Sequence, residues 1–96
     1  MLHTQRPTIS ETVALAYHLL GLNRDDELYV ALNAGEKALP FELPSAGNGR
    51  AWHRFLDTSL DPPDEICEPG DELPLAGGVY LVGPRSVVVV VGRRPT

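Results

Sequence analysis

Five consecutive valines, Val87 to Val91, led by Pro84-Arg85-Ser86 and closed by Gly92, constrain this chain more than any other segment. Side chains branched at Cβ are stiff at χ1 and fit a pleated strand better than a helix. A half-buried strand alternates apolar and polar residues, whereas this one offers apolar groups to both faces. One face can be covered by the chain's own core. The second requires another layer, a neighbouring domain or a partner.

Length narrows the choices. Ninety-six residues, 43% of them hydrophobic, suit one compact domain and fall well short of the ~250 residues of a catalytic (β/α)8 barrel. A chain of this size buries roughly two thirds of its unfolded surface, enough to fold without staples. Cys67 is the one cysteine, which excludes an internal disulfide and a paired-cysteine metal site and suits a reducing compartment. The net charge of −5, with eight scattered basic residues, argues against a nucleic-acid partner, which calls for clustered Lys and Arg. No apolar run reaches the ~18 to 20 residues of a membrane span, and no signal-peptide pattern opens the chain. A cytoplasmic location with no membrane partner is the expectation. Residues 1–11 are polar, contain Pro7 and lack periodicity; they read as a flexible arm or linker ahead of a single domain over 12–96.

Within that domain, Val13, Leu15, Tyr17 and Leu19 alternate with Ala14, Ala16 and His18, as a strand requires. A helix capped by Ser10 and stopped by Gly21 is the competing reading. Glu27 to Asn33 is a clearer strand, with Leu28, Val30 and Leu32 on one face and Tyr29, Ala31 and Asn33 on the other. Leu39, Phe41 and Leu43 share a face of a third strand, in which Pro40 marks an edge position. Ala51 to Asp57 reads as a strand carrying Trp52 and Phe55. Ser59 to Pro74 is an acidic, proline-rich excursion with at most a short strand near Ile66. Val79 to Val82 and the valine strand complete the pattern. About six to eight short strands with turn signals near every tenth residue predict an all-β antiparallel β-sandwich with the valine strand at its centre.

The succession Leu28-Tyr29-Val30-Ala31-Leu32-Asn33-Ala34, Phe41-Glu42-Leu43-Pro44, Trp52 through Leu56-Asp57-Thr58, then Tyr80 and Pro84 to Val89 resembles the C-terminal β-domain of bacterial glycogen debranching enzymes and isoamylases, of the α-amylase superfamily. The segment Leu15-Ala16-Tyr17, ending at Gly21, is similar to that domain's first strand. The resemblance implies an α-amylase C-terminal fold that follows a (β/α)8 barrel. It places the carboxylates that hydrolyse α-1,6 glucan linkages in the barrel, so it assigns no catalytic residue to this chain.

The residues themselves agree. A glycosidase pair needs two carboxyls facing each other across a sugar, roughly 5 to 9.5 Å apart. The candidates Asp57, Asp61, Asp64, Glu65, Glu68, Asp71 and Glu72 lie mostly in the excursion, where charge means a solvated loop. Asp57, at a strand end beside Thr58, suits hydrogen bonding to turn amides. No EF-hand pattern fits the acids, and His3, His18 and His53 have no companion at ligand spacing. No metal or cofactor is therefore expected. Ser86 and Cys67 lack the surroundings of a nucleophile, and Gly47-Asn48-Gly49 has no following helix to hold a phosphate.

The leading expectation is a non-catalytic domain that packs on the barrel of its own polypeptide through small and β-branched groups such as Ala14, Ala16, Val88 and Val90. The alternative is a free-standing carbohydrate-binding module for α-glucans. Its stacking platforms would be Tyr29, Trp52 and Tyr80, with Tyr29 the best exposed and Trp52 the most readily buried. A self-associating scaffold is a third class, hiding its apolar face in a dimer.

Overall fold

The computed structural model describes residues 2–5, 14–20, 27–47 and 49–93. The described residues form eight strands and no helix: β1 (Leu2–Gln5), β2 (Ala14–Leu20), β3 (Glu27–Asn33), β4 (Leu39–Glu42), β5 (Ala51–Asp57), β6 (Leu73–Pro74), β7 (Val79–Val82) and β8 (Ser86–Arg93). Six build one sheet in the order β1-β2-β3-β8-β5-β6, and β4 pairs with β7 in a two-stranded ribbon. Every pairing is antiparallel. The ribbon lies over one face of the sheet and makes the second layer of the sandwich.

The valine strand β8 sits between β3 and β5, as a strand apolar on both faces should. Over Ala14–Leu20 the rival helix does not form, and β2 pairs with β3 along its whole length; Ser10, Val13 and Gly21 lie outside the described residues. Pro40 lies in the ribbon, where each strand has only one partner and a missing N–H costs no ladder bond. Part of the segment expected as an arm, residues 1–11, is described. Leu2–Gln5 pairs with Ala16 to Leu19 as the edge strand β1, while residues 6–13 lie outside the described residues.

Register fixes which side chains share a face. Ala16, Ala31 and Val88 form one cross-strand row, and His18, Tyr29, Val90 and Arg54 another. These rows point at the ribbon. Ala16, Tyr29, Ala31, Trp52, Val82, Val88 and Val90 make the buried core, with Phe41, Leu43, Leu75 and Tyr80 packed around it. The opposite face carries the row Tyr17, Val30, Val89 and Leu56, flanked by Leu15, Leu32 and Val87. All of these outward residues remain partly exposed, Leu32 most of all at 39%.

The inner face is the more polar of the two. Glu27, Asn33, Asp57 and Ser86 are buried on it. A typical two-layer antiparallel sheet turns its apolar side inward and its polar side to water. Here the outward positions of β2, β3 and β8 from Leu15 to Val91 include no charged residue.

The acidic excursion has a structural task at the other sheet edge. Asp57 N–H donates to the Glu65 carbonyl (2.8 Å), Cys67 N–H to Phe55 (2.9 Å) and Leu75 N–H to Trp52 (3.0 Å). Ile66 contributes one bridge to Leu56, and the expected short strand forms instead at β6, paired to His53 and Arg54. Together these contacts occupy the free edge of β5, which would otherwise template pairing with another chain.

Gly83 lets the β7–β8 turn close. A Cβ there would stand 2.9 Å from Ser59 Cβ, nearer than carbon atoms pack. Gly83→Ala is expected to cost about 1–3 kcal/mol through forced displacement. The midpoint of urea denaturation measures it; an unchanged midpoint would show that Ser59 moves aside freely.

Candidate functional site

Glu27 opens β3 on the inner face and is buried, with 2% of its side chain exposed. A carboxylate in that position must be compensated. His18 Nε2 lies 2.7 Å from Oε2, Arg50 Nη1 lies 3.7 Å from Oε1, and Gly47 N–H donates to Oε1 at 3.0 Å. The His18 ring stands edge-on to Trp52 and Tyr29, with centroids 5.8 and 6.5 Å away. Trp52 Nε1–H donates to the Pro44 carbonyl at 2.6 Å. One buried acid thus ties the Gly47 loop and the start of β5 to the sheet. The valine run ends here for a steric reason: a Cβ on Gly92 would sit 3.2 Å from both Cβ and Oε1 of Glu27.

Two further acids anchor loops. Asp57 Oδ1 accepts from Ser59 N–H (2.9 Å) and Oγ–H (2.6 Å), and Oδ2 accepts a short bond from the Tyr80 hydroxyl. Its role in capping a turn is as the sequence suggests, with the ribbon residue Tyr80 added. Glu72 receives Arg93 through Nε (3.3 Å) and Nη2 (3.0 Å) and Gly70 N–H (3.0 Å). The Arg93 hydrogen bond holds the Glu72 carboxyl below its ordinary range, against the opposing effect of burial.

Burial, reinforced by the Asp57 carboxylate, pushes the Tyr80 phenol from 10 up to about 12. The folded protein therefore holds this proton more tightly than the unfolded chain does. Its contribution to stability is complete below pH 10 and is lost as pH rises from 10 to 12. Burial raises Tyr29 in the same direction. Tyr80→Phe is expected to flatten part of this alkaline loss; denaturation midpoints at neutral pH and at pH 11 compare the two proteins, and an identical alkaline loss in the variant would exclude Tyr80 as a source.

The three expected sugar platforms do not form a platform. Tyr29 is corrected from exposed to buried, at 4% exposure, because the face it shares with Ala31 and Asn33 is the one the ribbon covers. Trp52 is buried at 7% with its indole N–H engaged, and Tyr80 is half-buried with its hydroxyl on Asp57. Tyr29 and Trp52 do meet, at 6.3 Å between centroids, but as core packing.

The expected docking residues Ala14, Ala16, Val88 and Val90 lie on the inner face. Ala16, Val88 and Val90 are 4%, 2% and 0% exposed under the ribbon, and Ala14 shares their face opposite Asn33. The open apolar surface is built from the neighbours that sequence reading assigned inward, Leu28, Val30 and Leu32, together with Leu15, Tyr17, Val87 and Val89. The available signal was the absence of charge at those positions across three strands. His18, expected at the surface, is instead paired with Glu27. Among the described residues no group of three or more His, Cys, Asp or Glu is placed to hold a metal ion.

Comparison with known proteins fits this architecture. The family model described as "Isoamylase, C-terminal" matches residues 8–91. The chain is 32% identical over 87 residues to an isoamylase of Flavobacterium sp, an alignment covering 83% of this chain and 11% of that protein. It is 28% identical over 80 residues to isoamylase 3, chloroplastic, of Oryza sativa subsp. japonica, covering 83% of this chain and 10% of that one. The chain therefore spans about a tenth of the length of these relatives.

Proposed function

The chain belongs to the isoamylase C-terminal family, and we propose that it is the non-catalytic β-sandwich of an isoamylase-type debranching glycoside hydrolase. In this reading it packs on a catalytic (β/α)8 domain of the same cytoplasmic polypeptide and stabilises it, while that domain hydrolyses α-1,6 linkages. The observation that carries the non-catalytic role is the use of its buried acids. Glu27, Asp57 and Glu72 are each held by cations, amides or hydroxyls of their own fold, in arrangements that pin loops rather than face another carboxyl across an open cleft. Of the remaining acids of the excursion, Asp61, Asp64, Glu68 and Asp71 are exposed and Glu65 is half-buried.

Hydrolysis of pullulan and glycogen limit dextrin tests this directly: the chain alone is expected to release no reducing ends, and turnover would sink the proposal. The α-glucan module is disfavoured by the burial of Tyr29 and Trp52. Titration with maltoheptaose is expected to leave Trp52 fluorescence unchanged; a saturable change would restore that alternative.

A further inference from the structure

We propose that the outward face of the six-stranded sheet, centred on the row Tyr17, Val30, Val89 and Leu56, is the surface through which this domain docks on the catalytic part of its own polypeptide. The inference rests on the function proposed above and adds to it the face and the orientation.

Three observations select this face. The side of the sheet toward the ribbon is already covered and carries the polar groups Glu27, Asn33, Asp57 and Ser86. The outward side keeps Leu15, Tyr17, Leu28, Val30, Leu32, Val87 and Val89 in contact with solvent, with Val91 buried beside them and no charge before Arg93 at the end of β8. Among the described residues, exposed apolar side chains elsewhere form no comparable surface. Val79 and Leu81 share their side of the narrow ribbon with Glu42 and Pro40, and Ile66 and Leu73 stand apart among the acids of the excursion. A contiguous apolar patch on a soluble domain marks an interaction site.

The occupant follows from proportion. Aligned relatives carry roughly nine tenths of their length outside the matched segment, and the matched family is a C-terminal one, so most of such a polypeptide precedes this domain and is tethered to it. Tethering gives a covalently linked surface a large effective concentration over any free partner. The covering surface is apolar and supplies a polar partner near Tyr17, whose hydroxyl belongs to the central row.

The test uses the complete polypeptide that carries this domain, with Leu32→Glu on the outward face and Leu81→Glu on the ribbon as the control. Both side chains are exposed here, at 39% and 62%. Leu32→Glu is expected to speed proteolytic release of the domain on the order of tenfold, the equivalent of about 1.4 kcal/mol of lost docking. It should also lower the melting temperature of the catalytic part, while Leu81→Glu changes neither. Hydrogen exchange must show β3 and β8 still protected; if Leu32→Glu loses that protection, Tyr17→Lys on the same face replaces it with the same expectations. Release unchanged by the outward-face variant, or accelerated by the ribbon variant, overturns the docking face. So does conversion of a dimer to a monomer with release unchanged, which would assign the face to a second copy. None of these outcomes touches the non-catalytic role, which fails only if the chain alone hydrolyses glucan.

Discussion

Glu27→Ala is expected to lower the stability of the domain by about 3–5 kcal/mol, because it removes one partner of a buried charge pair and leaves the other uncompensated. Arg50 is 5% exposed in its side chain, and Glu27 is the carboxylate beside it. The same substitution strips the Gly47 amide of its acceptor and His18 of its 2.7 Å partner. The paired change Glu27→Ala with Arg50→Met removes the orphaned cation and should recover a large part of the loss. Urea denaturation of the three proteins decides the matter. If Glu27→Ala shifts stability by less than about 1 kcal/mol, solvent reaches Arg50 readily and the cluster is not a buried one. If the pair is no better than the single variant, the damage comes from the lost loop anchor and not from the stranded guanidinium.

That cluster also shows where sequence reasoning stops. The strands themselves are legible: Glu27–Asn33, Ala51–Asp57 and Val79–Val82 form with the bounds that alternation predicts, and the valine run occupies the centre of the sheet. Alternation separates two faces but does not say which one turns inward. Leu28, Val30 and Leu32 look like the core face because they are the more apolar set. The inner face can nevertheless hold Glu27 and Asn33, because essential partners of each, Gly47 and Arg50 for Glu27 and Val82 and Gly83 for Asn33, come from 20 to 50 residues away in the chain. Such pairing leaves no local signal. The same limit explains Tyr29, whose exposure was inferred from the wrong choice of face. The excursion reads correctly as an acidic loop, but its service as a cover for β5 depends on backbone bonds, to which side-chain patterns are blind. The valine run signals that two apolar faces need covering, but not which of them the ribbon covers.

Asn33→Asp is expected to be nearly as damaging as loss of Glu27, although it changes no atom's position. Asn33 is fully buried at the end of β3, and its Nδ2 donates to the carbonyls of Lys37 (2.8 Å), Val82 (3.1 Å) and Gly83 (3.0 Å), while Oδ1 accepts from Gly35 N–H (2.9 Å). One amide group therefore joins β3 to the end of β7 and the turn into β8. Aspartate puts an oxygen where three carbonyls demand a donor, and ionising it buries a charge among like dipoles; a cost of about 3 kcal/mol follows from an unmet buried group. The pH dependence identifies the cause. Burial among acceptors favours the protonated carboxyl, so its folded-state pKa lies above the unfolded value. The variant should therefore approach wild-type stability at acidic pH and lose ground as pH rises through the folded pKa. Asn33→Leu lacks the charge and should be destabilised by a pH-independent amount, since the carbonyls lose their donor without meeting a carboxylate. Denaturation midpoints for the two variants, each referred to wild type between pH 4 and pH 8, separate the contributions. Parallel curves would mean that the lost hydrogen bonds account for the whole effect and that the junction admits enough water to solvate a carboxylate.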